Sequence, residues 1–224
     1  MKTIIGKERP MEYPKPILHH APHTRSSMSL CMLEELGIDY DLHIINLNDG
    51  DQTQENFSAL NPMKKVPVLQ HGGVTVSETG AILSYLADAY PQSKLSPAPG
   101  ATMERATYLR WLFFGGSCFE PAVMDQFFPR KEPLNPGQAA WGDFTRVLDT
   151  LREGLTGKEY LLGENFSAAD ILIGNQVVFA IKYESIDPKQ EPAIAAYAAR
   201  CESRPAWKRA REKDEKHPYP STKK

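Results

Sequence analysis

A proline-rich segment near the middle of the chain divides the sequence into two stretches with different hydrophobic patterns. Its residues 91–101, PQSKLSPAPGA, are unsuited to a helix because proline lacks a backbone N–H and clashes with the preceding turn. Between residues 16 and 90, short strand-like runs alternate with helical ones, whereas the pattern from residue 103 onward is helical almost throughout. The sequence therefore predicts an α/β domain followed by an all-α domain.

The predicted α/β domain, residues 16–90, has the element order β-α-β followed by α-β-β-α. Strands are expected at 17–20, 40–47, 66–70 and 74–76, and helices at 26–36, 56–60 and 78–90. A helix joins the first two strands and makes them parallel, while the turn at Gly72 and Gly73 makes the last two an antiparallel hairpin. This order is typical of a thioredoxin-like unit.

The predicted all-helical domain, residues 103–215, follows a linker at 91–102. Its helices are expected at 103–128, 138–155, 167–183, 192–203 and 205–215. The third of them is apolar on nearly every side and should be the buried centre of the domain. Its start, FSAAD, places Ser167 at the N-cap with Asp170 three residues later, as in a capping box. Residues 1–13 are predicted to be an N-terminal extension and 216–224 a tail.

The composition excludes several classes of protein. With 26 basic and 28 acidic residues the formal net charge is −2, so there is no positive excess to drive binding to nucleic acid. Three cysteines in 224 residues are too few for a disulfide framework or a zinc site and indicate thiols in a reducing compartment. Neither a signal peptide nor an apolar run of membrane-spanning length is recognisable. We therefore expect a soluble cytoplasmic protein.

Four motifs give the sequence a family resemblance. In chain order they are NPMKKVPVL, VSETGAILSYLADAYP, FSAAD and RPAWKRA. Over about residues 16–215 the chain resembles the cytosolic glutathione S-transferase superfamily, and within it the bacterial serine- or threonine-type members. The resemblance implies a thioredoxin-like domain joined to an all-helical one, glutathione as co-substrate, a homodimer, and a role in detoxification.

The resemblance also implies which residues bind glutathione. It implies that the Val66–Pro67 bond is cis. The N–H and C=O of Val66 would then face the cysteinyl backbone of glutathione, which would pair with them as an added strand does. The resemblance places Glu78 and Thr79 at a helix N-terminus, where free N–H groups favour the γ-glutamyl carboxylate. Glu78 would pair with the α-ammonium group of glutathione, and Lys65 with its glycine carboxylate.

Each of these assignments has a plainer alternative. Pro67 can open an edge strand in the trans form, and Lys65 can be a solvated surface residue. The helix can simply start at Ser77 as N-cap, with an acidic residue in its first turn. A capping site is also an anion site, so this last alternative is compatible with the binding role.

The activating group is sought between the first strand and the first helix. The glutathione thiol, with an ordinary pKa near 8.5, is only about 3% ionised at pH 7. Lowering that pKa by about two units ionises about 75% of it and requires the thiolate to be stabilised by about 2.7 kcal/mol. A hydroxyl hydrogen bond together with the field of a helix N-terminus is of that order. The resemblance to serine-type family members, counted two residues on from Pro22, makes Thr24 the first candidate. Ser26 is the second and Ser27 the third. Ser26 is alternatively the N-cap of the helix.

Arg25 bears on the type of chemistry. It stands where beta-class enzymes of the family carry cysteine, which argues against mixed-disulfide chemistry. The catalytic tyrosine that many family members carry is absent from this loop. Both observations favour a hydroxyl of the loop as the group that activates the thiol.

A pocket for a second, hydrophobic substrate is expected against the first helix of the all-α domain. Tyr108, Trp111 and Phe114 recur there at a three-residue spacing and are predicted to form an apolar wall. Core packing is the alternative for such a stripe. His19, His20 and His23 do not predict a metal site, because neighbours on a strand face opposite sides.

The sequence favours an enzyme in which the glutathione thiolate attacks a hydrophobic electrophile. Three alternatives stay open: a dehalogenase or maleylacetoacetate-type isomerase, a peroxidase acting on organic hydroperoxides, and a non-catalytic binding or regulatory protein. The stretches KPIL, GIDY and ALNPMKKVP are similar to the zeta class, but HTRSSM does not reproduce the SSC-type active-site run of that class.

Overall fold

The computed structural model describes residues 14–132, 134–135 and 137–217 of the chain. The predicted extension at 1–13 and the last part of the predicted tail, 218–224, lie outside the described residues. Across the described ranges, every helix is too short or too polar to span a membrane.

The N-terminal part is a four-stranded mixed sheet with helices around it. Its elements are β1 (Ile17–His20), α1 (Ser26–Leu36), β2 (Asp41–Ile44), α2 (Glu55–Leu60), β3 (Val68–His71), β4 (Val74–Ser77) and α3 (Thr79–Ala89). The strand order is β2-β1-β3-β4, with β1 parallel to β2 and β3 antiparallel to both β1 and β4. The predicted thioredoxin-like topology is confirmed.

The turns that were predicted from glycine are formed as expected. Gly72 and Gly73 join β3 to β4 with φ values of 58° and 82°, the left-handed pair that a two-residue hairpin turn requires. Gly37 ends α1 with φ 62°, and its N–H donates to the carbonyl of Leu33. At both places, glycine in the sequence correctly predicts where a strand or helix ends.

The C-terminal part consists of helices within the described residues. They are α4 (Thr102–Phe114), α5 (Glu120–Phe127), α6 (Phe144–Leu155), α7 (Ala168–Lys182), α8 (Pro192–Glu202) and α9 (Pro205–Asp214). The predicted single helix at 103–128 is in fact α4 and α5, joined by a π-helical segment at Gly115–Phe119. Helix α6 begins later than expected, because Asp143 is its N-cap and accepts a 2.9 Å hydrogen bond from the N–H of Arg146.

Helix α7 is the buried centre of the C-terminal part, as its apolar sequence predicts. Ile171, Ile173 and Val177 are fully buried along it. At its start Ser167 is the N-cap, and the predicted capping box with Asp170 is present. The carboxylate of Asp170 also reaches beyond its own helix, to the N–H of Leu161 at 2.9 Å.

Helix α9 packs against α1 and so joins the end of the described chain to the N-terminal part. The guanidinium of Arg204 donates two hydrogen bonds, of 2.6 and 2.8 Å, to the carboxylate of Glu35. The nearly buried carboxylate of Glu34 accepts from Arg209 at 2.7 Å and also from Lys213 and Tyr40. These contacts hold α9 against the C-terminal end of α1, while Asp214, the last residue of α9, accepts from the hydroxyl of Ser27 near the start of α1.

Replacing Glu34 by glutamine weakens the charge-assisted hydrogen bonds to its carboxylate and is expected to destabilise the fold by about 1–2 kcal/mol at neutral pH. The loss is not larger because the cationic partners of Glu34 are half-exposed and their charges are screened by solvent. Burial raises the pKa of the Glu34 carboxyl, but the hydrogen bonds from Lys213, Tyr40 and Arg209 outweigh burial and lower the pKa below 4.5. The stabilisation is therefore present above that pH and is lost as the pH falls through the folded-state pKa.

Urea titrations between pH 3 and 7 measure this effect. The wild type should lose more stability on acidification than the Glu34→Gln variant, and the exposed Glu153→Gln variant should follow the wild type. Parallel pH profiles for the wild type and Glu34→Gln would contradict the assignment.

Candidate functional site

An open cleft of about 1260 Å³ lies between the N-terminal part and helix α4. The predicted glutathione-binding residues Lys65, Val66, Pro67, Glu78 and Thr79 all line it. Thr24, from the loop before α1, lines the same cleft. Residues from separate stretches of sequence thus meet in one cavity.

The loop that precedes β3 forms one side of the cleft. The Val66–Pro67 peptide bond is cis, as the family resemblance implies. Asn61 holds the loop from inside, since its Nδ2 donates to the carbonyl of Lys65 at 2.8 Å and its Oδ1 accepts from the N–H of Met63 at 3.1 Å. The N–H and C=O of Val66 form no hydrogen bond with any other described residue. They are available for an extended peptide.

The start of helix α3 forms the polar end of the cleft. Glu78 is the N-cap residue, with φ 69° and ψ 121° and no side-chain capping bond. The first N–H that closes a helical turn is that of Ile82, which donates to the carbonyl of Glu78 at 2.9 Å. The preceding N–H groups therefore point out of the helix end, where they favour an anion. Ser77, the alternative N-cap, is instead the last residue of β4.

The hydroxyls of the loop before α1 have different surroundings. Thr24 is half-buried and lines the cleft, and its Oγ1 donates to the carbonyl of Ala21 at 2.6 Å and accepts from the N–H of Ser26 at 3.2 Å. Ser26 is fully buried, and its hydroxyl bonds only to other parts of the protein. Ser27 donates to the carboxylate of Asp214. Of the three candidate hydroxyls, Thr24 is thus the one that lines the cleft, while Ser26 lies behind it.

Ser26 is also not the N-cap that the sequence suggested. That position is taken by Arg25, whose side chain makes no capping hydrogen bond. The hydroxyl of Thr24 accepts the N–H of Ser26 instead, so Thr24 satisfies one of the free groups at the start of α1.

A second cavity of about 650 Å³ lies on the other side of Thr24. It runs between the loop before α1 and helices α5, α7, α8 and α9, and much of its wall is apolar. The residues that line both cavities are Thr24, Arg25, Met28, Glu120 and Gln176. Thr24 therefore lies at the junction of the cleft and the second cavity.

The predicted apolar wall of Tyr108, Trp111 and Phe114 is corrected by the structure. Tyr108 and Trp111 are fully buried in the core, and Phe114 packs edge-on against Trp111 with ring centroids 5.3 Å apart. A Cβ at Gly154 would lie 2.2 Å from the indole of Trp111, so this glycine lets α6 and the indole meet. The face of α4 that lines the cleft is formed instead by Leu109, Leu112 and Phe113.

Sequence reasoning missed the contribution of the helical part to the junction of the two cavities. Arg25 forms an ion pair with Glu120 of α5. Gln176 of α7 donates from Nε2 to the carbonyl of Gly115 at 3.0 Å and to Glu120 at 3.3 Å. No local sequence pattern predicts this group of residues, because Glu120 and Gln176, which are in contact, are 56 positions apart in the chain.

The histidines of β1 face opposite sides of the sheet, as a strand requires. His19 Nε2 lies 2.8 Å from Oε1 of Gln70, whereas His20 Nε2 lies 2.8 Å from Oδ1 of Asp214. Burial lowers the pKa of His19, and the neighbouring His43 adds to that effect, although the Gln70 hydrogen bond opposes it. The two rings take part in separate hydrogen-bond networks.

Three comparisons with known proteins bear on these features. The family model for the glutathione S-transferase N-terminal domain matches residues 16–88. A GST-like protein of Streptococcus mutans is 34% identical over 205 residues, which cover 82% of this chain and 75% of that protein. The maleylacetoacetate isomerase of Rattus norvegicus is 30% identical over 195 residues, covering 83% of this chain and 87% of the isomerase.

Among solved structures, a sphingomonad glutathione S-transferase in complex with glutathione is 32% identical, with a TM-score of 0.74 over 89% of this chain and 98% of that one. Sequence and structure therefore agree along both the sheet-bearing and the helical parts. On these similarities, the chain belongs to the cytosolic glutathione S-transferase superfamily.

Proposed function

We propose that the protein is a glutathione transferase in which the hydroxyl of Thr24 holds the thiolate of glutathione for attack on a hydrophobic electrophile. The observation that carries this proposal is the position of Thr24 at the junction of the cleft, which contains the predicted glutathione-binding residues, and the second cavity. A sulfur atom beside Thr24 would face both at once. We assign the protein to the serine- or threonine-type members of the family, acting in cytoplasmic detoxification.

Glutathione fits the cleft by charge and by backbone pairing. The start of α3 favours the γ-glutamyl carboxylate, and the carboxylate of Glu78 lies beside it to pair with the α-ammonium group. The free N–H and C=O of Val66 match the cysteinyl residue. At the other end Lys65, which forms no ion pair within the described residues, is available to the glycine carboxylate. Binding at these remote groups would place the sulfur beside Thr24.

Thr24 is suited to stabilise a thiolate. Its oxygen already accepts the N–H of Ser26, and this bond strengthens the donating hydrogen of the same hydroxyl. The positive end of α1 lies next to it and adds to the stabilisation of an anion. A hydrogen bond to a charged group is worth about 1.5–3 kcal/mol, which matches the two-unit change in thiol pKa that ionisation at pH 7 requires.

The electrophile would occupy the second cavity. Apolar side chains of the helical part and of α1 line it, among them Met28, Val123, Met124, Phe179 and Ile181. Arg25 and Glu120 add one ion pair at the junction, so a substrate with a polar group near its reacting carbon is also accommodated. These features support a hydrophobic substrate class.

A homodimer is part of the proposal. Met63, before β3, and Met103 and Phe113, on α4, are large apolar side chains that are 67%, 83% and 74% exposed. Exposed apolar side chains on neighbouring elements are typical of a surface that is covered by another subunit.

A glutathione-dependent isomerase is the second candidate. It is favoured by the similarity to the rat maleylacetoacetate isomerase and by Arg25, whose guanidinium at the cavity junction suits an acidic substrate. Turnover separates the two: conjugation of a chlorodinitrobenzene-type electrophile supports the transferase, and cis–trans isomerisation of a maleyl substrate without consumption of glutathione supports the isomerase. Reduction of an organic hydroperoxide would indicate peroxidase activity by the same thiolate.

The glutathione site is tested with the Glu78→Gln variant. We expect its Kd for glutathione, measured by calorimetry, to rise about 10- to 100-fold, since a charge-assisted hydrogen bond of about 1.5–3 kcal/mol is lost. The matched Glu164→Gln variant changes an exposed glutamate outside both cavities and should bind like the wild type. A wild type that does not bind glutathione at millimolar concentration would refute the proposed site altogether.

A further inference from the structure

The hydroxyl of Thr24 is the outer end of a chain of buried polar groups that begins on helix α9. Asp214 Oδ1 lies 2.8 Å from Nε2 of His20. Nδ1 of the same ring lies 2.7 Å from the hydroxyl of Ser26, which lies 2.9 Å from the hydroxyl of Thr24. The exposed fractions are 1% for His20, 0% for Ser26 and 7% for Asp214. Each atom of the chain is thus within hydrogen-bond distance of the next.

The hydrogen-bond partners of this chain allow an arrangement of hydrogens that suits proton transfer. A carboxylate only accepts, so Asp214 takes one hydrogen from Ser27 and another from Nε2 of His20. With a neutral imidazole, Nδ1 has a lone pair and is one acceptor for the hydroxyl of Ser26, whose other acceptor is the carbonyl of Ala21 at 2.8 Å. The oxygen of Ser26 in turn accepts from the N–H of Ala21 at 3.1 Å and can accept from Thr24. In this arrangement Nδ1 of His20 is the acceptor at the inner end of the path.

We propose that the thiol proton of bound glutathione is transferred to His20 by way of Thr24 and Ser26, and that Asp214 holds the imidazolium that results. This inference rests on the proposed function. The S–H bond breaks as a new O–H bond forms on Thr24, the original Thr24 hydroxyl proton moves to Ser26, and the Ser26 proton moves to Nδ1 of His20. No electrons are exchanged: a neutral thiol and a neutral imidazole become a thiolate and an imidazolium.

The same transfer leaves the site ready for catalysis. The hydrogen received by Thr24 is the one that then donates to the thiolate, so activation and stabilisation use a single hydroxyl. In the resting protein the Thr24 hydrogen lies between two acceptors, the Ala21 carbonyl at 2.6 Å and the Ser26 hydroxyl at 2.9 Å, and a small rotation joins it to the path. After product departs, the imidazolium returns its proton to solvent.

The inner groups act through Thr24 and are positioning residues. Neither His20 nor Ser26 lines either cavity, whereas Asp214 borders the second cavity. The charged groups that share this cavity with Asp214 carry both signs and come from the loop before α1 and from α5, α7, α8 and α9: Arg25, Glu120, Lys182, Glu202, Arg211 and Glu215. Of the ionisable groups, only the carboxylate of Asp214 makes a hydrogen bond to the ring of His20 within the described residues.

Counting protons tests the transfer. Glutathione is mixed with the protein in weakly buffered solution, the thiolate is measured by its ultraviolet absorbance and the released protons by an indicator dye. The wild type should form thiolate while releasing clearly fewer protons than thiolates. In His20→Gln and in Asp214→Asn, which is close in shape to the wild type, one proton should appear in solution per thiolate, and the thiolate at pH 7 should fall about tenfold.

A variant that loosens α9 without touching the path separates this role from a structural one. Arg204→Gln removes the ion pair with Glu35 and leaves Asp214, His20 and Ser26 in place. Its proton count should equal that of the wild type. If Arg204→Gln changes the count as His20→Gln does, or if the wild type releases one proton per thiolate, the proposed transfer is overturned while the glutathione site stands. A wild type that forms no thiolate overturns the proposed function as well.

Discussion

Replacing Thr24 by alanine is expected to lower kcat/KM for conjugation about 10- to 100-fold, with little change in the affinity for glutathione. The variant loses the hydrogen bond to the thiolate, worth about 1.5–3 kcal/mol, while the groups that bind the ends of the tripeptide remain. The thiolate absorbance of bound glutathione at pH 7 should fall in parallel, because the thiol pKa returns toward its ordinary value.

Two further variants make this result specific. Thr24→Ser keeps the hydroxyl and should retain most of the activity. Thr156→Ala removes an exposed threonine hydroxyl that bonds to the carbonyl of Arg152, far from both cavities, and should leave the kinetics unchanged. An undiminished thiolate signal in Thr24→Ala would show that another group activates the sulfur.

Replacing Asp170 by alanine is expected to destabilise the protein by about 3–5 kcal/mol, the largest effect of any single change considered. The carboxylate is fully buried and accepts from the N–H of Leu161 and of Ser167 at 2.9 Å, the hydroxyl of Ser167 at 2.8 Å and that of Tyr197 at 3.1 Å. Its loss leaves several buried donors without a partner. Urea unfolding followed by circular dichroism measures the change.

Two further variants provide comparisons for the effect of Asp170→Ala on stability. Ser167→Ala removes the N-cap side chain but keeps the carboxylate, and should cost about 1 kcal/mol. Asp149→Ala removes an exposed carboxylate of α6 and should change stability by less than about 0.5 kcal/mol. An Asp170→Ala cost no larger than that of Ser167→Ala would contradict the view that one carboxylate joins the start of α7 to Leu161 and α8.

The features of the fold that were predicted from the sequence are those with a local cause. The turn at Gly72 and Gly73, the end of α1 at Gly37 and the start of α7 at Ser167 each depend on a few neighbouring residues. The division of the predicted helix at 103–128 has no such signal. It arises where the π-helical segment meets α7, since a Cβ at Gly115 would lie 2.7 Å from the side chain of Leu172.

The residues of the candidate site likewise fall into those with a local sequence signal and those without one. Lys65 to Pro67 and Glu78 to Thr79 are contiguous motifs, and the structure brings them into one cleft with Thr24. The sequence predicts Tyr108 and Trp111 in the wall of a substrate pocket, but both are buried in the core. Periodicity identifies a helix face but not the element that packs against it. The second cavity required the packing of α5, α7, α8 and α9, which no local pattern contains.

The contact between His20 and Asp214 joins residues 194 positions apart and has a consequence for biosynthesis. A ribosome makes the chain from the N-terminus at about 5–20 residues per second, and domains fold as they emerge. The strands and the cleft loops are therefore synthesised before α9, and until α9 docks against α1 the ring of His20 lacks its carboxylate partner. Each molecule thus becomes competent for the proposed proton transfer only when α9 docks.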